Sequence, residues 1–215
     1  MPKPIRPAKD RINPLTIKTI IFDVGGVLLH EVDRTPRERA AQKLGITYDA
    51  LNTAVFNHPL GSRATIGEIT TRQIWEAIGA SFRLSPAETL ALEQEFFAGN
   101  QIDAALVDHA RALRGRYQTA ILSNAWDDLR DVIHHKWHIA DAFDEIIVSA
   151  EVGCAKPDPQ IYTLTLQTLG IKPEEAVFID DLEPNILAAR QVGLHGIVYK
   201  SREQVQQALA DMLKG

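Results

Sequence analysis

The chain has 215 residues, 45% of them hydrophobic and 24% charged, with a formal net charge of −5. That is the composition of a folded globular domain, or of a core with an insertion. The acidic balance offers no basic face for nucleic acid, and no apolar run approaches the roughly 20 residues of a membrane span. The N-terminus lacks the apolar stretch of a signal peptide. The single cysteine, Cys154, cannot close an internal disulfide, so a cytoplasmic setting is expected. Nothing in the sequence bears on oligomeric state.

Met1–Leu15 carries Pro2, Pro4, Pro7 and Pro14 among basic residues, which predicts a flexible N-terminal tail over residues 1–15. A β-branched run then predicts a first strand over Thr16–Val24. From His30 to about Asn100 the pattern is helical. Arg37–Leu44 is ended by Gly45, Tyr48–Asn57 by His58-Pro59, Thr70–Ile78 by Gly79, and Pro86–Phe97 follows a Ser85 N-cap. Trp75, Phe82, Phe96 and Phe97 are candidates for this segment's own core, whereas Arg34, Arg37 and Arg39 read as a solvated helix face. The stretch is too long for a connection between strands. Residues 31–99 are therefore expected to form an inserted helical cap domain on an α/β core of residues 16–30 and 100–215.

Beyond Ile102, strands and helices alternate. The pattern predicts helix Asp103–Leu113, strand Gln118–Leu122, helix Asp127–Trp137, strand Glu145–Val148 and helix Gln160–Leu169. Strand Ala176–Ile179, helix Ile186–Val192, strand Gly196–Tyr199 and a last helix opened by Ser201 follow. Strands separated by helices indicate right-handed βαβ units, hence an α/β fold with a doubly wound, Rossmann-like parallel sheet. His134, His135 and His138 have nothing nearby to complete a metal site and read as helix surface.

The carboxyl ends of such strands converge on one crevice. Asp23 ends the first strand and is followed by Gly25 and Gly26, which permit a sharp turn and close approach of other groups. A carboxylate there can attack phosphorus and form an aspartyl intermediate; it can equally cap a turn. Ser123 and Asn124 end the second strand, where a hydroxyl, an amide and backbone N–H groups suit phosphoryl oxygens, although alone they read as a Ser/Asn turn. Lys156, in the proline-rich GCAKPDP loop, is either a solvated lysine or a counter-charge for the carboxylates and a phosphate. Asp180 and Asp181 close the fourth strand. Two adjacent carboxylates repel each other without a cation, and Mg²⁺, which takes oxygen ligands and bridges to phosphate, suits them.

These four segments, in this order, resemble the motifs of the haloacid dehalogenase (HAD)-like hydrolase superfamily, and the likeness runs from about Thr16 to Lys200. The resemblance implies Asp23 as nucleophile, with Ser123 and Lys156 in the second and third motifs. It implies a metal site of Asp23, the Gly25 backbone carbonyl, Asp180 and Asp181, and it makes the helical segment the family's cap. Asn185 would orient Lys156 or the metal shell. Most family phosphatases carry Asp two residues after the nucleophile as general acid/base, a group worth about 10²–10⁴-fold; this chain has Gly25. A good leaving group, a water, or His30, Glu31 or Asp33 are the candidates to compensate.

The reading that follows is an Mg²⁺-dependent phosphohydrolase acting on a small phosphorylated metabolite. A catalytically weak HAD-like protein that binds a ligand or partner is the alternative that Gly25 motivates. A 2-haloacid dehalogenase, which needs no metal, fits less well, because those enzymes replace the carboxylate pair that Asp180 and Asp181 retain. Trp126, just past the second motif, is a further candidate to reach the leaving group.

Overall fold

The computed structural model describes residues 17–214; the tail expected over residues 1–15 lies outside them. Strand β1 (Thr19–Phe22) is followed by β2 (Leu29–Glu31) and helices α1 (Thr35–Lys43), α2 (Tyr48–Phe56), α3 (Gly61–Thr65), α4 (Thr71–Ser81) and α5 (Pro86–Phe97). Then come β3 (Asn100–Ile102), α6 (Ala104–Leu113), β4 (Gln118–Ser123), α7 (Leu129–Asp131), β5 (Glu145–Val148), α8 (Ser149–Val152) and α9 (Pro159–Leu169). The chain closes with β6 (Ala176–Asp180), α10 (Glu183–Gln191), β7 (His195–Val198) and α11 (Arg202–Met212).

The expected parallel sheet is present, in the order β5-β4-β1-β6-β7. Side chains alternate across it with the period of two that a strand imposes. Ile20, Phe22, Ile121, Val177 and Ile179 join Leu106 and Val107 of α6 and Val205 and Leu209 of α11 on one face. Ile21, Ala120, Leu122 and Phe178 pack on the other against Ile161, Tyr162 and Leu166 of α9 and Ile186 of α10. Both faces of the sheet are thus covered, which is why its strands are apolar throughout rather than alternating.

Between β1 and α6 the chain forms something the periodicity does not show. β2 and β3 pair antiparallel as a short ribbon, Leu29 opposite Ile102 and Glu31 opposite Asn100. Helices α1 to α5 lie between its two strands around their own apolar cluster, including Trp75, Phe96, Ile74 and Leu51, with Phe82 and Phe97 packed against it. α4 and α5 both open with complete capping boxes, Thr70–Gln73 and Ser85–Glu88.

Two readings need correction. The helix expected over Asp127–Trp137 starts at Leu129 and widens into a π-turn over Val132–Lys136, with the Trp137 N–H bonded to the Val132 carbonyl at 2.9 Å. Asp128 stands at its N-cap, but the side chains of Asp127 and Asp128 turn to Thr71 rather than cap the helix. Arg37 does not belong to a solvated face. It is buried, its guanidinium lying 3.9 Å from the Phe96 ring centre and 3.2 Å from Glu31. It also donates to the Phe96 carbonyl, Asn52 and Asn100 at 2.8–3.3 Å. Arg37 thereby ties α1 to α2, α5 and both strands of the ribbon.

Removing one partner of a buried charge pair strands the other. Arg37→Ala is expected to cost about 3 kcal/mol in urea denaturation. Arg39→Ala, at an exposed pair with Glu95, is expected to cost under about 1 kcal/mol.

Candidate active site

The three central strands end side by side, with Phe22 opposite both Ile121 and Ile179. Asp23 follows at once, and its own N–H still extends the ladder to the Ile179 carbonyl at 2.9 Å. Ser123 is the last residue of β4 and Asp180 the last of β6. The parallel register alone therefore brings a carboxylate, a hydroxyl and a second carboxylate to one edge.

Lys156 arrives on the loop between α8 and α9, and its side chain is only 1% exposed. Its ammonium lies 2.9 Å from Asp23 Oδ1 and donates to Asp180 Oδ2 at 2.7 Å and the Leu122 carbonyl at 3.1 Å. The backbone of Lys156 is held by Asn124: the amide Nδ2 donates to the Lys156 carbonyl, and the Lys156 N–H donates to Asn124 Oδ1, each at 2.8 Å. Asn124, expected to bind substrate, thus has both ends of its amide engaged with the loop.

Asp180 is fully buried and fully partnered. Oδ1 accepts from the Leu182 N–H at 2.8 Å, Oδ2 accepts from Lys156, and Asn185 Nδ2 lies 3.0 Å from both oxygens. Asn185 is set in turn by the Tyr162 hydroxyl, which donates to its carbonyl at 2.8 Å. Tyr162 is part of this arrangement, but in sequence it reads only as a helix core position.

Asp181 is the exposed member. One ligand oxygen from each of Asp23, Asp180 and Asp181 lies within 4.8 Å of the others. Three carboxylates against one ammonium leave the cluster negative, and hard oxygen ligands of this kind fit a small divalent cation. Gly26 makes the approach of Asp181 possible: at φ +74°, a Cβ there would lie 2.3 Å from Asp181 Oδ2. Gly25 differs. It is exposed, and a Cβ on it would meet nothing within 4 Å, so its lack of a side chain is not a steric necessity.

The electrostatics follow from burial. Desolvation pushes the Asp23 carboxyl up to about 6 despite the pull of Lys156, and Asp180 adds to the rise. Asp181 is also raised, by burial and then by Asp180. His30, Glu31 and Asp33 are all engaged along the connection to the insertion. His30 Nε2 faces the Val27 carbonyl at 2.9 Å while its ring stacks on Tyr199. Glu31 is held by Arg37 and the Tyr48 hydroxyl. Asp33 accepts from the Thr35 N–H at 2.9 Å. Trp126 packs edge-on against Trp75 of the insertion, ring centres 6.0 Å apart.

Residues 17–193 match the family described as haloacid dehalogenase-like hydrolase. The chain belongs to that family. Among curated HAD-like relatives it is 34% identical to the bifunctional epoxide hydrolase 2 of Rattus norvegicus over 86% of this chain and 37% of that protein. It therefore spans little more than a third of the length of that relative. It is 27% identical to the D-ribitol-5-phosphate phosphatase of Bacteroides thetaiotaomicron, over 82% of this chain and 89% of that one. A HAD family enzyme from the same bacterium, crystallised with magnesium and inorganic phosphate, shares the fold with a TM-score of 0.72. Its identity to this chain is 24%, over 86% of this chain and 94% of that one. Among the described residues, no helix is long and apolar enough to cross a membrane.

Two outcomes follow from this geometry. Gly26→Ala is expected to displace Asp181 and weaken divalent-cation binding, read by isothermal titration calorimetry, whereas Gly25→Ala is expected to leave it within a factor of about 2. The second concerns pH. Asp23 keeps its proton to about 6 in the fold but only to about 3.8 when unfolded, so the folded state binds the extra proton in that window. The stability this group contributes therefore falls as pH rises from about 4 to 6. With chelator present, the melting temperature of the wild type relative to Asp23→Asn is expected to drop across that range, and Mg²⁺ to restore it. A difference that stays flat with pH would contradict the raised carboxyl.

Proposed function

We propose that this HAD-like hydrolase is an Mg²⁺-dependent phosphohydrolase acting on a small phosphorylated metabolite through an aspartyl-phosphate intermediate. The observation that carries the reading is the buried ammonium of Lys156 between Asp23 and Asp180, with Asp181 open beside them. The phosphatase among its relatives, and the magnesium and phosphate in the related enzyme from Bacteroides thetaiotaomicron, support it.

Asp23 is the nucleophile. Its Oδ1 is held by Lys156 and by the Val24 N–H at 2.7 Å, which leaves Oδ2 to meet phosphorus. Asp23, Asp181 and the Gly25 carbonyl would hold the cation. Asp180 belongs to the same acidic group and could add a ligand, but its oxygens already accept from Lys156, Asn185 and the Leu182 N–H, so its main work is to fix Lys156. When bound, Mg²⁺ would neutralise the cluster and draw charge from the phosphoryl oxygens. Lys156 and the Ser123 hydroxyl stabilise the equatorial oxygens as Asp23 bonds to phosphorus and the ester oxygen leaves, taking its proton from water at the open Gly25 position. Water then displaces Asp23 and releases phosphate. The helical insertion, residues 31–99, acts as the cap that selects the leaving group. A cytoplasmic setting agrees with a single cysteine that is buried and free.

The test is phosphate release from phosphorylated sugars, nucleotides and p-nitrophenyl phosphate, with and without Mg²⁺. Turnover is expected only with the cation and is expected to fall at least about 10³-fold in Asp23→Asn. No release from any phosphoester by protein that still binds Mg²⁺ would leave the ligand-binding reading that Gly25 motivates. Metal-independent halide release from 2-haloacids would make it a dehalogenase.

A further inference from the structure

The loop after β4, residues 124–128, has two sets of partners. On one side Asn124 grips the backbone of Lys156 through two hydrogen bonds. On the other, the same loop carries the helical insertion. Ser149, fully buried just past β5, accepts from the Ala125 N–H at 3.0 Å, and its hydroxyl faces the Thr65 carbonyl at the end of α3 at 2.7 Å and the Ala125 carbonyl at 3.1 Å. Asp127 Oδ1 takes both the N–H and the hydroxyl of Thr71, at the start of α4, each at 2.7 Å. Asp128 lies 2.9 Å from the same hydroxyl. Between these two points, Gly67 passes so close to α8 that a Cβ on it would stand 2.0 Å from the Ala150 carbonyl oxygen.

All of these contacts are made by short groups: a serine hydroxyl, a threonine hydroxyl, two aspartates, the Asn124 amide and backbone. Such groups transmit position with little slack, unlike the long Lys or Arg pairs on the surface. We propose that the α3–α4 turn of the insertion, seated on residues 125–128, sets the placement of Lys156 through Asn124. Ser149 and Thr71 are then positioning residues for the nucleophile. The inference rests on the phosphohydrolase reading of the site. Its physical content is the narrow tolerance of Lys156, whose ammonium meets its acceptors at 2.7–3.1 Å. A misplacement of about 1 Å at such a group can cost about 10²-fold. Without Thr65 and Thr71 on one flank, the loop loses its seat, and Lys156 loses its register with Asp23.

A double-mutant cycle tests this, with p-nitrophenyl phosphate as the probe and Mg²⁺ present. Ser149→Ala and Thr71→Val are each expected to lower kcat about 10-fold with KM little changed, and Thr71→Ser to restore it. Combined with Asn124→Ala, neither is expected to cost more than Asn124→Ala alone, because all three act on one path. Should Ser149→Ala fail to fold, the cycle between Thr71 and Asn124 carries the test. Losses that multiply in an active enzyme, or a Thr71→Val variant with full kcat, overturn the coupling while leaving the phosphohydrolase reading intact. A wild type without turnover on any phosphoester sinks that reading and this inference together.

Discussion

Burying the Lys156 ammonium is costly unless each of its protons finds an acceptor, and Asp23, Asp180 and the Leu122 carbonyl supply them. The rest of the site follows from that constraint. Asp180 has to be held still, so Asn185 and the Leu182 N–H take up its other lone pairs, and Tyr162 fixes Asn185. Asp23 has to face inward from the end of the central strand, so the turn after it needs a glycine at position 26 to make room for Asp181. One ammonium among three carboxylates leaves the cluster short of positive charge. Burial raises the Asp23 carboxyl, Asp180 adds to the rise, and the shortfall of positive charge makes the crevice receptive to a cation.

The helical insertion adds a second layer of constraint. It has an apolar cluster of its own around Trp75 and Phe96, yet it is not independent of the sheet. Arg37 fastens it to the β2–β3 ribbon at one end, and the turn between α3 and α4 rests on the loop after β4 at the other. The ribbon fixes where the insertion enters and leaves. The seated turn meets the same loop that carries Asn124.

Much of this was legible in the residues themselves. The strands of the parallel sheet stand out because each is a β-branched apolar run closed by polar groups, and burial on both faces makes that run continuous. Glu145–Val148 and Pro86–Phe97 fall where the pattern puts them. What the pattern hides is short or non-local. β2 and β3 have three residues each and exist only as a pair across the whole insertion, so neither shows a period of its own. Arg37 looks like a surface charge until Phe96 and Asn100 are brought beside it by the fold. The convergence of Asp23, Ser123, Lys156 and Asp180 was readable because parallel topology forces strand ends together. The gripping role of Asn124 was not, since a Ser-Asn pair at a strand end looks the same whether its amide faces ligand or loop.

Strand order has one more consequence. The central strand, β1, comes first in the chain, but its neighbours β4 and β6 are made much later, pairing Phe22 with Ile121 and with Ile179. Asp180, Leu182 and Asn185 meet within one short stretch, but Asp23, Ser123, Lys156 and Asp180 cannot, and the closing of long loops must precede their contacts. The Lys156 ion pairs therefore report on the joining of the three central strands rather than on any one of them. In a population of partly folded chains, contact between Asp23 and Lys156 marks those in which the first strand has met the chain's later half.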